Sequence, residues 1–313
     1  MAIIPFVNRL AQAERDSWLL ALNKAIPSHR VKTLNDLSTE EKDAAKVAIV
    51  ANPNPLELSS LSNLEWVQSL WAGVENLLAA SPESPFQIVR MTDPQLAETM
   101  AEAVLAWTLY LHRDMPRYRA QQMQQIWQQQ LLRLPRERRV AVLGLGQLGK
   151  LAAKKLKENG FSVCGWSRSK TELQGIDTFH GLEQLDLVLA QSDMVVILLP
   201  LTSATRGILN LEMLQKLPKG ASLINFSRGA VLVENDLLKC LDEDAIDHAV
   251  LDVFELEPLP VNHRFWLHPK ITVLPHISSP TNQQTACNIV SLNIENYFSN
   301  GLIPQSINRI NGY

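Results

Sequence analysis

The 313-residue sequence holds only three cysteines, Cys164, Cys240 and Cys287, with no CxxC or Cys/His spacing among them. An odd, scattered set excludes a disulfide framework and fits a reducing compartment. HxxH and HExxH are also missing, so metal chemistry is not expected. Long apolar runs are lacking: the longest, Met194 to Leu199 closed by Pro200, falls far short of the roughly 20 residues of a bilayer span. No basic segment leading into an apolar stretch opens the chain, so neither membrane insertion nor export is expected, and a cytoplasmic location is. Neither sign of charge dominates. With 29 Lys and Arg against 32 Asp and Glu, a net −3, nothing steers the chain toward nucleic acid or an anionic membrane. What is present, 46% apolar and 19% charged residues, is the composition of a globular protein. At roughly 150 residues per domain, the length suggests two domains.

The clearest pattern runs from Arg138 to Arg168: an apolar run (Val140 to Leu143), a glycine cluster, a helical stretch rich in Ala, Lys and Leu, then Gly160 and the run Phe161 to Trp166. That order reads strand, turn, helix, turn, strand. Further β-rich runs follow at Asp193–Leu199, Ala221–Phe226, Ala249–Val253 and Ile271–Leu274, separated by helix-like sequence. Their near-continuous hydrophobicity suits strands covered on both faces, hence an α/β fold with a doubly wound parallel sheet of Rossmann type over residues 100–280. The first 99 residues read as a smaller α/β unit, with strands near Ala2–Val7, Val47–Ala51 and Trp66–Leu70, a helix around Ala11–Lys24 and a Pro-rich stretch from Ser81 to Pro85. The helical pattern Gln283–Phe298 follows the last strand of the larger unit, so residues 281–313 are expected to return to the smaller one. Between the two lies Gln121–Gln130, with seven glutamines in ten residues, read as a solvated helix or arm anchored by Met123, Ile126 and Trp127.

Gly144-Leu145-Gly146-Gln147-Leu148-Gly149 follows a strand and opens a helix, the context that a GxGxxG pattern needs to mean dinucleotide binding. Gly144 permits the tight turn, Gly146 lets the backbone approach a pyrophosphate, and Gly149 lets helix and strand close up. The N–H groups at the helix start, from Gln147 and Leu148, face the anion. NAD enzymes of this design carry Asp or Glu about 20 residues on, to bind the ribose hydroxyl. Here that position is Ser167, followed by Arg168 and Lys170, which offer donors and positive charge to a 2′-phosphate. NADPH is therefore the expected cofactor, with NADH the weaker alternative. The other reading of Arg168 and Lys170 is a pair of solvated loop cations.

A cofactor lying across the carboxyl ends of the sheet puts reactive groups just after the later strands. Arg228 follows Ser222–Ser227, Glu257 lies beyond Leu251–Phe254, and His276 ends Ile271–Pro275. Hydride transfer to a ketone needs a proton donor for the developing alkoxide and a cation for the substrate carboxylate or carbonyl. A histidine with a carboxylate partner and an arginine supply both. Phe226, Ser227, His276 and Ser278 are candidate cofactor contacts at the same strand ends. His263 and His268, beside Trp266, read as surface or packing residues.

These residues resemble the D-isomer-specific 2-hydroxyacid dehydrogenase family. The likeness runs over most of the chain: the glycine turn, Trp166-Ser167-Arg168, Leu199-Pro200-Leu201-Thr202 through Thr205, Ser227-Arg228-Gly229, Leu251–Phe254 leading to Glu257-Pro258-Leu259-Pro260, Pro275-His276, and the ending Arg309 through Gly312-Tyr313. It implies that His276 is the acid/base, Glu257 its partner and Arg228 the substrate-binding cation. By the same likeness Asp252 holds the nicotinamide carboxamide, Leu199, Pro200 and Thr205 line the cofactor, and Ala72-Gly73-Val74 presents backbone N–H groups to the substrate carboxylate. It implies a smaller, flavodoxin-like substrate domain, an active site in the cleft between domains, and a homodimer. Two departures stand out: Trp71-Ala72-Gly73 replaces the family's usual Gly-Ala-Gly, and Ala51-Asn52-Pro53 replaces a turn with a larger aromatic and a histidine.

The resulting expectation is an NADPH-preferring reductase of small 2-oxo acids, glyoxylate or hydroxypyruvate. Two alternatives stand beside it: the same scaffold acting on a different 2-keto acid or a phosphonate, and a dinucleotide-sensing binding protein without catalysis.

Overall fold

A computed structural model describes residues 1–81 and 84–309. Pro82 and Glu83 of the Pro-rich stretch, and Ile310 to Tyr313 of the terminal motif, lie outside the described residues. The chain divides into two units, Met1–Gln95 with Thr281–Tyr313, and Leu96–Pro280. Both are α/β units built on parallel sheets.

The first unit carries β1 (Ile3–Asn8), β2 (Arg30–Thr33), β3 (Val47–Ala51), β4 (Trp66–Ser69) and β5 (Gln87–Val89), all parallel in the order β2-β1-β3-β4-β5. This is the flavodoxin-like order, whose switch point lies between β1 and β3. Every residue of β3 and β4 is buried, because the sheet is covered on both faces. Ile4, Phe6, Val47, Ile49 and Trp66 turn one way, into a core shared with Trp18 and Leu22 of helix Gln12–Ala25 and with Val290 and Ile294 of helix Gln283–Asn300. Val7, Ala48, Val50 and Val67 turn the other way and meet Leu58, Leu77 and Ile88. Helix Gln283–Asn300 starts at Asn282, whose side chain accepts the N–H groups of Gln284 and Thr285, and stops at Gly301, where φ is +68°.

The second unit carries β6 (Arg139–Leu143), β7 (Ser162–Ser167), β8 (Asp177–His180), β9 (Met194–Ile197), β10 (Ala221–Asn225), β11 (Ile246–Leu251) and β12 (Ile271–Val273). Their parallel order is β12-β11-β10-β9-β6-β7-β8. The chain runs outward through β7 and β8, then returns to the other side of β6 for β9 onward, so the switch point is the β6–β9 crevice. Alternate residues again split between two cores. Val140, Val142, Met194 and Val196 pack with Met100, Ala101 and Val104, while Ala141, Leu143, Val195 and Ile197 pack with Val188, Leu237 and Leu241.

The glutamine-rich stretch departs from expectation. Helix Met115–Met123 ends at its start, Gln125 takes a left-handed φ of 57°, and Gln130 N–H donates to the Tyr118 hydroxyl. Met123 is 82% exposed, Trp127 98% and Leu131 85%, so these side chains do not anchor the segment to the chain's own described residues. Among the described residues, no helix is long and apolar enough to cross a membrane.

Candidate active site

The glycine turn sits at the carboxyl end of β6 in the switch-point crevice. Gly144 has φ +106°, and a Cβ there would stand 2.5 Å from the Leu198 carbonyl oxygen, across the crevice at the end of β9. At Gly149 a Cβ would stand 1.7 Å from the Gly144 carbonyl oxygen, so helix Gln147–Glu158 packs this close only without one. Gly146 differs. It is exposed, it caps the helix start, and a Cβ there would meet nothing within 4 Å. The fold needs Gly144 and Gly149; it does not need Gly146, and the open space beside that backbone suits a phosphate resting on the helix N-terminus. On the facing side, the Thr205 hydroxyl donates to Pro200 C=O at 2.6 Å and accepts the Thr202 N–H at 2.8 Å, knitting the loop after β9, while Leu199 is buried in the core.

After β7, the Ser167 hydroxyl donates to Ser169 C=O at 2.8 Å and lies 3.2 Å from the Thr171 hydroxyl, fixing the loop that carries Arg168 and Lys170. Both cations are exposed, and the Lys170 ammonium lies 3.2 Å from Glu172. Glu172 stands only two residues from Lys170 in the sequence, close enough for this contact.

The later strand ends bring the polar groups of this unit together. His276 Nδ1 and Glu257 Oε2 are 2.8 Å apart, with the His276 side chain 52% exposed and that of Glu257 35%. Glu257 is itself held, because its Oε1 accepts the Phe254 N–H at 2.9 Å. The hydrogen bond to Glu257 raises the His276 pKa above its usual value against the opposing pull of burial; the Glu257 and Asp252 carboxylates add to the rise, and the Arg228 charge works against it. For Glu257, burial pushes upward, but hydrogen bonds from His276 and Phe254 N–H, with the charges of His276 and Arg228, leave its carboxyl below the usual range. Arg228 lies on the turn after β10, its Nη1 donating to Ser227 C=O at 2.6 Å.

Two supporting residues, Asn225 and Gly229, are given no role by the sequence alone. Asn225, 1% exposed at the end of β10, accepts both the N–H and the hydroxyl of Ser227 and donates to Arg228 C=O, which shapes the arginine turn. A buried amide side chain ending a strand whose preceding residues, Leu223 and Ile224, are apolar was the available signal. Gly229 is where that turn meets the Glu257 loop: a Cβ there would stand 2.0 Å from Phe254 C and 2.3 Å from Glu255 N. Asp252, expected to bind cofactor, has both carboxylate oxygens on backbone N–H groups, those of Ile277 at 2.7 Å and Ser278 at 2.9 Å. Phe226, Ser227 and Ser278 are buried nearby in the chain's strand ends, and the Ser278 hydroxyl is enclosed with no hydrogen-bond partner among the described residues. His263 and His268 instead meet Glu234 and Asp242, each at 3.2 Å.

In the first unit, Ala72, Gly73 and Val74 follow β4 and lead into helix Glu75–Ala80. The Trp71 indole lies edge-on to Trp18, with centroids 5.8 Å apart, and packs against that unit's core. Asn52 takes a left-handed φ of 48° just after β3.

The family model for the NAD binding domain of D-isomer specific 2-hydroxyacid dehydrogenases matches residues 105–278. Among solved structures, the chain is 36% identical to a D-isomer specific 2-hydroxyacid dehydrogenase from Xanthobacter autotrophicus Py2 in complex with NADPH and MES, covering 100% of this chain and 99% of that one at a TM-score of 0.92. It is 32% identical to an NADPH-dependent glyoxylate/hydroxypyruvate reductase from Sinorhizobium meliloti in complex with NADP and sulfate, covering 100% of both chains at a TM-score of 0.91. A probable 2-hydroxyacid dehydrogenase from Rhizobium etli CFN 42, in complex with NADP, HEPES and L(+)-tartaric acid, is 28% identical, with 100% of both chains covered and a TM-score of 0.90.

Proposed function

The chain belongs to the D-isomer specific 2-hydroxyacid dehydrogenase family and is an NAD(P)-dependent oxidoreductase, and from that premise we propose that it is an NADPH-preferring reductase of small 2-oxo acids. Glyoxylate and hydroxypyruvate are the substrates we assign first, with the D-configured hydroxy acid formed where the product is chiral. The observation that carries this reading is the His276–Glu257 pair at 2.8 Å, on loops at the carboxyl ends of the same sheet as the Arg228 turn.

Gly144, Gly146, Gly149, Gln147 and Leu148 would hold the cofactor's pyrophosphate, Ser167, Arg168 and Lys170 its 2′-phosphate, and Leu199, Pro200, Thr205, Phe226, Ser227 and Ser278 would line it. The open space at Gly146 and the unpartnered Ser278 hydroxyl support that fit. When bound, the reduced nicotinamide supplies the hydride for the keto carbon. His276 gives the proton that becomes the hydroxyl hydrogen on the former carbonyl oxygen. Because Nδ1 faces Glu257, the donating atom is Nε2. Glu257 fixes the ring and favours its charged form, ready to act as an acid. Arg228 makes charge-assisted hydrogen bonds to the keto acid, and the backbone N–H groups of Ala72, Gly73 and Val74 take its carboxylate.

A dinucleotide sensor would have no use for an imidazole matched to a carboxylate, and Trp71, taken up by packing on Trp18, gives no support to a larger substrate. We assign a homodimer as well, acting in the cytoplasm. Residues 120–132 contain no charged side chain and expose Met123, Trp127 and Leu131, a composition suited to the core of a subunit interface. Initial rates of NADPH and NADH consumption with glyoxylate, hydroxypyruvate, pyruvate and a bulkier 2-keto acid test the reading. Fast NADPH turnover of the first two is expected. Turnover of the bulky acid alone would reassign the substrate, and NADPH binding without any turnover would make the protein a sensor.

A further inference from the structure

Building on the reductase reading, we propose that Asn225 is the positioning residue of the substrate-binding cation: its buried amide sets the turn from which Arg228 reaches the keto acid. β10 lies inside the sheet, with Asn225 opposite Ile197 of β9 on one side and Leu251 of β11 on the other. The ladder runs one step further on both sides, because Phe226 N–H donates to Ile197 C=O at 3.2 Å and Asp252 N–H donates to Asn225 C=O at 3.1 Å. The Asn225 side chain therefore springs from backbone that two neighbouring strands hold in place. Ser227 and Arg228, which come next, have no strand partner among the described residues.

The amide supplies what the ladder no longer does. Its Oδ1 accepts the Ser227 N–H at 3.1 Å and the Ser227 hydroxyl at 3.0 Å. Its Nδ2 donates to Arg228 C=O at 3.2 Å, a carbonyl that also accepts the Val231 N–H at 3.3 Å. The Arg228 guanidinium closes the circuit by donating from Nη1 to Ser227 C=O at 2.6 Å. The N–H and C=O of Ser227 and the C=O of Arg228 are all engaged, so the direction in which the chain enters Arg228 is fixed. Asn225 is 1% exposed, too deep to touch substrate or cofactor, and what it contributes to the reaction passes through the turn it holds.

The chemistry of the site selects an amide. One short buried side chain must accept from two donors and donate to one carbonyl, and asparagine carries both a carbonyl oxygen with two lone pairs and an N–H donor. Aspartate keeps the acceptor but sets an oxygen against Arg228 C=O, and it gives the Arg228 guanidinium a buried carboxylate to pair with in place of the substrate's. Alanine leaves all three groups without their partner.

The test uses the full chain with Asn225→Asp and Asn225→Ala, each alone and in an Arg228→Ala background. Three measurements are made: the NADPH Kd by fluorescence titration, KM and kcat for glyoxylate, and the Kd of oxamate, an unreactive analogue of a 2-oxo acid, on the NADPH complex. In Asn225→Asp the oxamate Kd and the glyoxylate KM should rise about 10- to 100-fold, the worth of a charged hydrogen bond, with the NADPH Kd within about threefold of wild type. A merely structural asparagine would lower Tm and the yield of active enzyme but leave the oxamate Kd of the folded protein unmoved. That result, or an NADPH Kd raised as much as the oxamate Kd, would overturn the proposal. Added to Arg228→Ala, Asn225→Asp should change kcat/KM by no more than about threefold, and full additivity of the two would overturn it as well. Amide hydrogen exchange of the unaltered protein gives a reading that needs no variant to fold: Ser227 N–H should be strongly protected although it lies beyond the strand pairing, and rapid exchange there would refute the hold on the turn. A wild type that neither turns over a 2-oxo acid nor binds oxamate would sink the reductase reading and the substrate half of the proposal, while protection of Ser227 would still uphold Asn225 as the hold on the arginine turn.

Discussion

Gly229→Ala tests whether the catalytic loops depend on the close approach of two backbones. A Cβ at Gly229 would stand 2.0 Å from Phe254 C, 2.3 Å from Glu255 N and 2.4 Å from Phe254 Cα, whereas ordinary contact begins near 3.4 Å. The loops must therefore separate by about 1.4 Å, the difference between 3.4 and 2.0 Å. Every obstructing atom is main chain, so no side chain can swing aside. The push reaches the chemistry directly, because Phe254 N–H holds Glu257 Oε1 at 2.9 Å and Glu257 holds His276. Misplacement by about an ångström costs on the order of 10²-fold in rate, and overpacking typically costs about 1–3 kcal/mol of stability. We expect Gly229→Ala to fold with a lowered Tm, to bind NADPH as wild type does, and to lose about 10²-fold in kcat for glyoxylate. Gly146→Ala should do the reverse. Its Cβ meets nothing within 4 Å, so Tm should stay put while the NADPH Kd rises at least about tenfold. If Gly229→Ala kept kcat within about threefold of wild type, the coupling of these loops to the reaction would be refuted.

Three further outcomes are expected. In Glu257→Gln the hydrogen bond and charge that raise the His276 pKa are weakened, so the acid form is lost at lower pH; kcat/KM for reduction, which falls as pH rises through the His276 pKa, should start its fall earlier, and an unmoved profile would contradict the pairing. Arg168→Ala should raise the KM for NADPH by about 10- to 100-fold, the worth of a charged hydrogen bond, and leave that for NADH nearly unchanged; equal effects on both would show that Arg168 does not read the 2′-phosphate. Trp127→Glu should weaken self-association by more than about 10²-fold in sedimentation experiments, and an unchanged oligomer would place the interface elsewhere.

Much of this was legible in the sequence because the central strands are buried on both faces and so read as apolar runs, as with Val140–Leu143 and Ala221–Phe226. The strands that went unread are β2, β5 and β8. β2 (Arg-Val-Lys-Thr) and β8 (Asp-Thr-Phe-His) sit at sheet edges, where one side faces solvent and polar residues interrupt the pattern, and β5 is three residues long. The glycine turn, Arg228, Glu257 and His276 could be picked out because their chemistry fixes where along the chain they must fall. The hydrogen bonds of Asp252 to Ile277 and Ser278 and the backbone approach of Gly229 to Phe254 could not be read, since both are made across the fold, between residues some 25 apart. The glutamine-rich arm misled for a related reason: apolar spacing shows that Trp127 needs cover, not which molecule supplies it.

The most direct test of the central claim, that His276 is the proton donor of 2-oxo acid reduction, is kcat for glyoxylate in His276→Ala measured beside its NADPH Kd. The account predicts a kcat lower by on the order of 10²- to 10⁴-fold with cofactor binding retained. A variant that keeps wild-type kcat would contradict it.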